Sequence, residues 1–312
     1  MKKEKVGRIK EKLNRYFSAL IDLLFARECA VCGRELLVNE QHLCINCFAE
    51  LPLTYFWNFK DHAAEQVFWG RVRIKRVYSL YYYINKYRTP IHKLKYKSNV
   101  EIGLYLGRML GEKIAQEELG FDLIVPIPLH WRKLQKRGYN QAKVIARGIK
   151  KGLEESRKKI KIEDGYEDGD ENRCEDRYEN RYEDRYEDRY EDRYENKCEN
   201  EYYSNKIIGN LIKRKAFTNT QTAKDRIERW KNVSAAFAIN SEVVKKLQKE
   251  DLHRKELQKE DLQRDGGNKV PHYKILLVDD VLTTGATLEV CASLIKEHLD
   301  ANIYIATLAY VE

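Results

Sequence analysis

The sequence predicts an α/β protein organised on a buried parallel strand, with a small cysteine-bearing module ahead of it. Three observations predict this. Residues 275–278, Ile-Leu-Leu-Val, form a short apolar run with β-branched ends, the pattern of a strand covered on both faces. After Asp279 and Asp280 come the small and hydroxylic residues Thr283, Thr284, Gly285, Ala286 and Thr287. Leu288, Cys291, Leu294 and Ile295 then recur at helical spacing. Far upstream, Cys29-x-x-Cys32 and Cys44-x-x-Cys47 stand eleven residues apart.

A strand, a tight loop of small residues and a helix start make an anion site, because unpaired N–H groups and the helix dipole converge there. Gly285 is expected to let a phosphate approach the backbone. Two carboxylates beside that cradle would repel a phosphate. They make sense facing ribose hydroxyls or Mg²⁺ on the same ligand. The stretch resembles the phosphoribosyl pyrophosphate (PRPP) signature of type I phosphoribosyltransferases: apolar strand, Asp-Asp, then Thr-Thr-Gly-x-Thr. The bland alternative is a strand ending in a solvated acidic turn before a capped helix.

The chain has 312 residues, 43% of them hydrophobic and 34% charged, with a net charge of +9. That length can bury one sizeable core and carry a small extra module. No apolar run approaches the roughly 18 residues of a membrane span. Residues 1–12 are basic, and Ile9, Leu13, Phe17, Leu20 and Leu24 fall at steps of three or four, so residues 1–25 read as an amphipathic helix. Docking on the rest of the chain is the expected role, and a membrane surface or partner is the alternative. No signal peptide is recognised, and an odd count of seven cysteines, four of them in two close pairs, points to a reducing, cytoplasmic compartment and a metal.

The four thiols suit tetrahedral Zn²⁺, and with all four positions filled the site is structural rather than catalytic. Gly33 supplies the permissive backbone of a knuckle turn. Redox dithiols are the rival reading. His42 could substitute as a ligand, although a surface histidine is the plainer expectation. Residues 26–53 are too few for a core of their own, so metal would contribute folding energy.

Residues 71–100 hold nine Lys or Arg and no acid, interleaved with Tyr78, Tyr81, Tyr82, Tyr83, Tyr87 and Tyr96. This mixture can track a phosphodiester backbone and stack bases; a tyrosine-rich strand with solvated lysines is the alternative. Residues 77–84 read as a strand, 90–96 as a short helix, and 99–118 as a helix stopped by Gly120. Residues 122–128 are a strand running into a loop stiffened by Pro126 and Pro128. Arg132, Lys133, Lys136 and Arg137 follow, then a helix through Ile149. A rigid loop at a strand end with arginine behind it suits a diphosphate, against an ordinary basic βα loop.

Residues 163–201, which from Glu175 on run as a four-residue Glu-Asp-Arg-Tyr-type repeat, hold 18 acidic and 7 basic residues, a net of −11, so the remainder carries +20. Period four sets like charges at i and i+4, and tyrosine alone cannot build a core, so low complexity is expected. Residues 234–239 read as a strand. A second repeat, Leu247-Gln-Lys-Glu-Asp-Leu, recurs at 257. Residues 303–311 form the last strand.

Together these features resemble the ComF family of competence-associated, phosphoribosyltransferase-like proteins. The resemblance is carried by the four-cysteine knuckles, by Val-Pro-Ile-Pro followed by Lys136-Arg-Gly-Tyr-Asn-Gln141, by Arg214, Thr218, Gln221, Arg229, Asn232 and Phe237, and by the Asp-Asp…Thr-Thr-Gly-Ala-Thr motif. Ala216 and Lys224 depart from the family pattern. The resemblance implies a Rossmann-like, mainly parallel sheet of the type I phosphoribosyltransferase kind, preceded by a zinc ribbon at 26–58. The main domain would span 71–312, interrupted at 163–203 and 245–268. It implies PRPP with Mg²⁺ held by Asp279, Asp280 and residues 283–287, the diphosphate by Pro126, Pro128 and Arg137, and a context of DNA uptake. Asp279, Asp280 and Arg137 would carry any catalysis, with single-stranded DNA as a further partner.

Overall fold

The computed structural model describes residues 27–96, 99–117, 120–163, 205–215, 235–250 and 273–312. The amphipathic helix expected at 1–25, the four-residue repeat, the stretch 216–234 and the second repeat beyond residue 250 lie outside these.

Five strands form one parallel sheet in the order β1–β7–β6–β2–β3. They are β1 (Arg76–Tyr82), β2 (Leu123–Pro126), β3 (Lys206–Ile207), β6 (Tyr273–Leu282) and β7 (Ala301–Tyr310). The apolar run leads β6, which is central, and Ile275, Leu276, Leu277 and Val278 are all fully buried. Successive side chains in a strand point to opposite faces, so such a run requires cover on both sides. Helices α4 (Val100–Ile114) and α6 (Gln141–Glu163) pack Leu106, Leu110, Ile145 and Ile149 against Leu276 and Val278. On the other face, α8 (Ala286–His298) brings Leu288, Cys291 and Ile295 onto Ile275 and Leu277. That face also takes an antiparallel pair, β4 (Ile212–Arg214) and β5 (Phe237–Ile239), and a helix α7 over residues 241–250.

Short helices fill the connections: α1 (Ile45–Ala49), α2 (Ala63–Gln66), α3 (Thr89–Tyr96) and α5 (Trp131–Arg137). The α4–α6 pair packs closely because glycines line it. A Cβ on Gly107 would come within 2.6 Å of the Ile145 carbonyl oxygen, and Gly111, Gly148 and Gly152 meet facing backbone more closely still.

The structure corrects several boundaries. Helix α6 runs on to Glu163 rather than ending at Ile149, since Leu153 continues its buried face. Helix α4 ends at Ile114, with Ala115 as its C-cap, one turn short of Gly120. Strand β6 does not stop before the acids. It continues to Leu282 because β7 lies alongside and offers partners as far as Tyr310. The tyrosine-rich segment is mostly structural: Tyr78, Tyr81 and Tyr87 are buried, and Tyr96 is exposed. Arg76, one of the nine basic residues there, is also buried. It is held by Glu65, Glu117 and the carbonyls of Phe56 and Phe59.

The cysteine module does not stand apart. Cys29, Leu43, Cys44 and Cys47 belong to the same core as Leu80, Ile91 and Leu106. No helix among the described residues is long and apolar enough to cross a membrane.

Candidate functional site

The C-terminal edge of β2 and β6 gathers most of the residues singled out in the sequence. The two strands are neighbours in parallel register, with Pro126 opposite Val278, and the Ile127 N–H donates to the Val278 carbonyl at 2.9 Å. Parallel strands point the same way, so the loop after β2 and the turn after β6 leave the sheet at the same end, the turn starting beyond Leu282, four residues past the level where β2 ends. In open α/β sheets that edge is where ligands bind.

Asp279 and Asp280 lie where the ladder is interrupted. Pairing of β6 to β7 is regular through Asp279–Thr307 and resumes at Val281–Ala309; pairing of β1 to β7 likewise passes from Ser79–Thr307 to Tyr81–Ala309. The alternation of faces slips at the same level: Leu80 and Tyr81, like Leu308 and Ala309, share one core. Up to that point alternation holds, so Asp280 follows Val278 to the α4–α6 face and Asp279 follows Leu277 to the α8 face. The expectation that both carboxylates face a ribose thus meets a geometry in which each has a separate surrounding.

Asp280 pairs with Lys95 of α3, Nζ to Oδ2 2.7 Å. Asp279 accepts the backbone N–H of Asp280 at 2.8 Å. Burial and the like charge of Asp280 push the Asp279 carboxyl up to about 7, against the opposing pull of that N–H, Lys95 and Arg214. Cys291 lies on this side too; burial and the Asp279 charge push its thiol well above the ordinary range, partly countered by Arg214. Burial works against the charge of Lys95, yet Asp280 and Asp279 together raise its pKa above that of an ordinary lysine.

The 136–141 motif is a staple. Gly138 ends α5 in the left-handed region, at φ 79°. The Tyr139 hydroxyl donates to the Leu94 carbonyl in α3. Asn140 donates to the Ile127 carbonyl at 3.0 Å and accepts from the Ala142 N–H at 3.0 Å, capping α6. Gln141 accepts from Arg137 at 2.8 Å, and Arg137 lies over the Tyr96 ring, 5.4 Å to its centroid. The motif therefore binds the β2 loop to α3 and brings Arg137 beside Lys95. Lys133 completes the cationic side. Burial, then Arg214, Arg137 and Lys95, lower its pKa, with Asp280 opposing.

Of the turn residues, Thr283 is exposed, Thr284 and Thr287 are half-buried, and Gly285 and Ala286 are buried. Gly285 caps α8 at φ 72°. The space a Cβ would take is filled by Val67 and Phe68, at 2.7 and 3.0 Å. The glycine is thus required for packing and for its backbone angle, and on that side Val67 and Phe68, rather than open space for a phosphate, meet it. Pro126 is buried and Pro128 half-buried.

Lys95 and Lys133 carried no role in the sequence reading. Lys95 was one basic residue among nine, and only its contact with Asp280 sets it apart. Arg214 entered through the family pattern alone.

The second cluster is the cysteine knuckle. The sulfurs of Cys29, Cys32, Cys44 and Cys47 all lie within 4.8 Å of one another. The Cys44 N–H donates to Cys29 Sγ at 3.3 Å. Burial raises the Cys29 thiol, but N–H groups of Cys32, Cys44 and Val31 outweigh it and bring the thiol down to about 6. Four converging sulfurs with N–H donors aimed at a thiolate fit a structural zinc ion. His42 is not among the four; its ring lies against Tyr105, centroids 5.0 Å apart.

A wide groove of about 640 Å³ opens at the other end of the sheet, lined by Arg73, Lys75, Lys296 and His298. It lies at the strand N-termini, and Glu297 and Asp300 line it as well.

No protein-family model matches the chain. It is similar to Competence protein F of Haemophilus influenzae, with 21% identity over 274 residues that cover 86% of this chain and 78% of that protein. The likeness supports the ComF family, at a distance.

Proposed function

We propose that this chain binds PRPP, or a closely related phosphorylated ribose, with Mg²⁺ at the edge of β2 and β6. We propose also that it acts in the cytoplasm in DNA uptake, where its basic surface takes single-stranded DNA. Residues 283–287 would receive the 5′-phosphate, Asp279 and Asp280 the ribose hydroxyls and Mg²⁺, and Pro126, Pro128 and Arg137 the diphosphate. In this reading a zinc ribbon at 26–58 packs on a phosphoribosyltransferase-like domain at 71–312.

One observation carries the reading. Two carboxylates, a turn opening a helix, and a proline-stiffened basic loop share one edge of two adjacent parallel strands. Opposite charges held that close suit a ligand that offers hydroxyls or a cation to one side and phosphates to the other. The likeness to a competence protein favours the DNA-uptake context. The alternative is an active phosphoribosyltransferase: charge stabilisation at C1 would let diphosphate leave.

Calorimetric titration of PRPP with Mg²⁺ tests the reading. Saturable binding that Asp279→Asn and Asp280→Asn abolish is the expected result, and a flat titration of the parent protein would sink it. Single-turnover release of diphosphate against a panel of bases separates the enzyme from the binding protein.

A further inference from the structure

Helix α3 touches both clusters. In the 3-10 turn leading into it (Asn85–Arg88) the Tyr87 hydroxyl donates to the Cys47 carbonyl at 3.3 Å, and within the helix Lys93 donates to the Cys29 carbonyl at 3.1 Å. Two residues later Lys95 reaches Asp280 at 2.7 Å. Side chains two apart on a helix diverge by about 200°. The helix therefore stands between the knuckle and the sheet edge, with one lysine on each. Ile91 and Leu94 bury its third side in the core that also holds Cys29, Cys44 and Cys47. Tyr139 fixes it from the β2 loop.

We propose that Lys95 is an anion-binding residue of the β6 edge, and that the four-cysteine module sets its position through α3. The class of anion is a diphosphate. The proposal rests on the ligand position given above and adds to it a residue and a control that the PRPP motif does not contain. A lysine ammonium carries three donors on a flexible stem, so the one facing Asp280 leaves others to turn outward. Arg137 and Lys133 stand on the same side, so an incoming anion meets several cations at once. A cation arriving at Asp280 would release Lys95 toward the diphosphate.

The test uses the zinc-loaded full chain and inorganic diphosphate with Mg²⁺ as probe. Lys95→Met should weaken calorimetric binding by about tenfold, the loss expected for one charge-assisted hydrogen bond. Lys93→Met should weaken it by a few-fold while zinc content stays at that of the parent. Acylation of Lys95 by an amine reagent, read by mass spectrometry, should slow in the parent when diphosphate is added and quicken in Lys93→Met. Lys150→Met, whose ion pair with Glu154 lies within α6, should change neither. Unaltered diphosphate affinity in Lys95→Met, no protection of Lys95 in the parent, or no diphosphate binding at all overturns the anion role. An unchanged Lys93→Met overturns the control by the module. Binding of PRPP without diphosphate sinks this proposal and spares the PRPP reading; Lys95-dependent diphosphate binding without PRPP does the reverse.

Discussion

Asp279 and Asp280 are adjacent in the chain, and each has a separate surrounding. Asp280 has the Lys95 ammonium. Asp279 has burial and its neighbour's charge, which lift its carboxyl to about 7. A group whose folded pKa is raised favours the fold while protonated. Its contribution is present below the ordinary carboxylate range and lost as pH rises through about 7. Asp279→Asn should therefore raise stability at pH 8 by ~1 kcal/mol more than it does at pH 5, as read by urea unfolding. An effect of the same size at both pH values would remove the claim that Asp279 is strained. Asp280→Asn has the opposite sign. It leaves Lys95 without its counter-charge and should cost about 2 kcal/mol by the same measurement. Under the proposed function, Mg²⁺-dependent binding of PRPP should strengthen between pH 6 and pH 8 as Asp279 ionises. Titrations at the two ends of that window check it.

Among the elements, the α4–α6 pair depends on what its residues lack. Gly111 faces the backbone of Ile149 and Gly152 that of Arg108, with no room for a methyl group. Gly111→Ala should cost about 1–3 kcal/mol through overpacking, checked by thermal unfolding. Helix propensity alone would favour alanine there, so a stabilised variant would contradict the packing described. The knuckle shares its core with the sheet. Chelation should accordingly release one zinc per chain and lower the unfolding temperature of the whole α/β body in a single transition; two separate transitions would show an independent module.

Across the whole molecule, charge is divided unevenly. Residues 163–201 carry a net −11 and the rest +20. Part of that positive charge is committed to structure, as Arg76 is, while Arg73, Lys75 and Lys296 line an open groove far from Asp279 and Asp280. If the groove serves single-stranded DNA, Arg73→Glu with Lys75→Glu should lower affinity and flatten the salt dependence. Deleting residues 163–201 should tighten the same binding by removing a competing polyanion. Unaltered salt slopes in filter binding would count against both.

The linear pattern by itself determined the parallel strand, the metal knuckle and the helix after Gly285. Each depends on neighbours a few residues apart: an apolar run, two Cys-x-x-Cys turns, a repeat of three and four. The tertiary structure alone decided where β6 ends, which tyrosines are buried, and that Lys95 meets Asp280. Those outcomes depend on β7 extending to Tyr310, on β1 being covered, and on α3 lying between knuckle and sheet. Contacts between residues so distant in the chain leave no periodic trace in it, because burial and pairing depend on which surfaces meet.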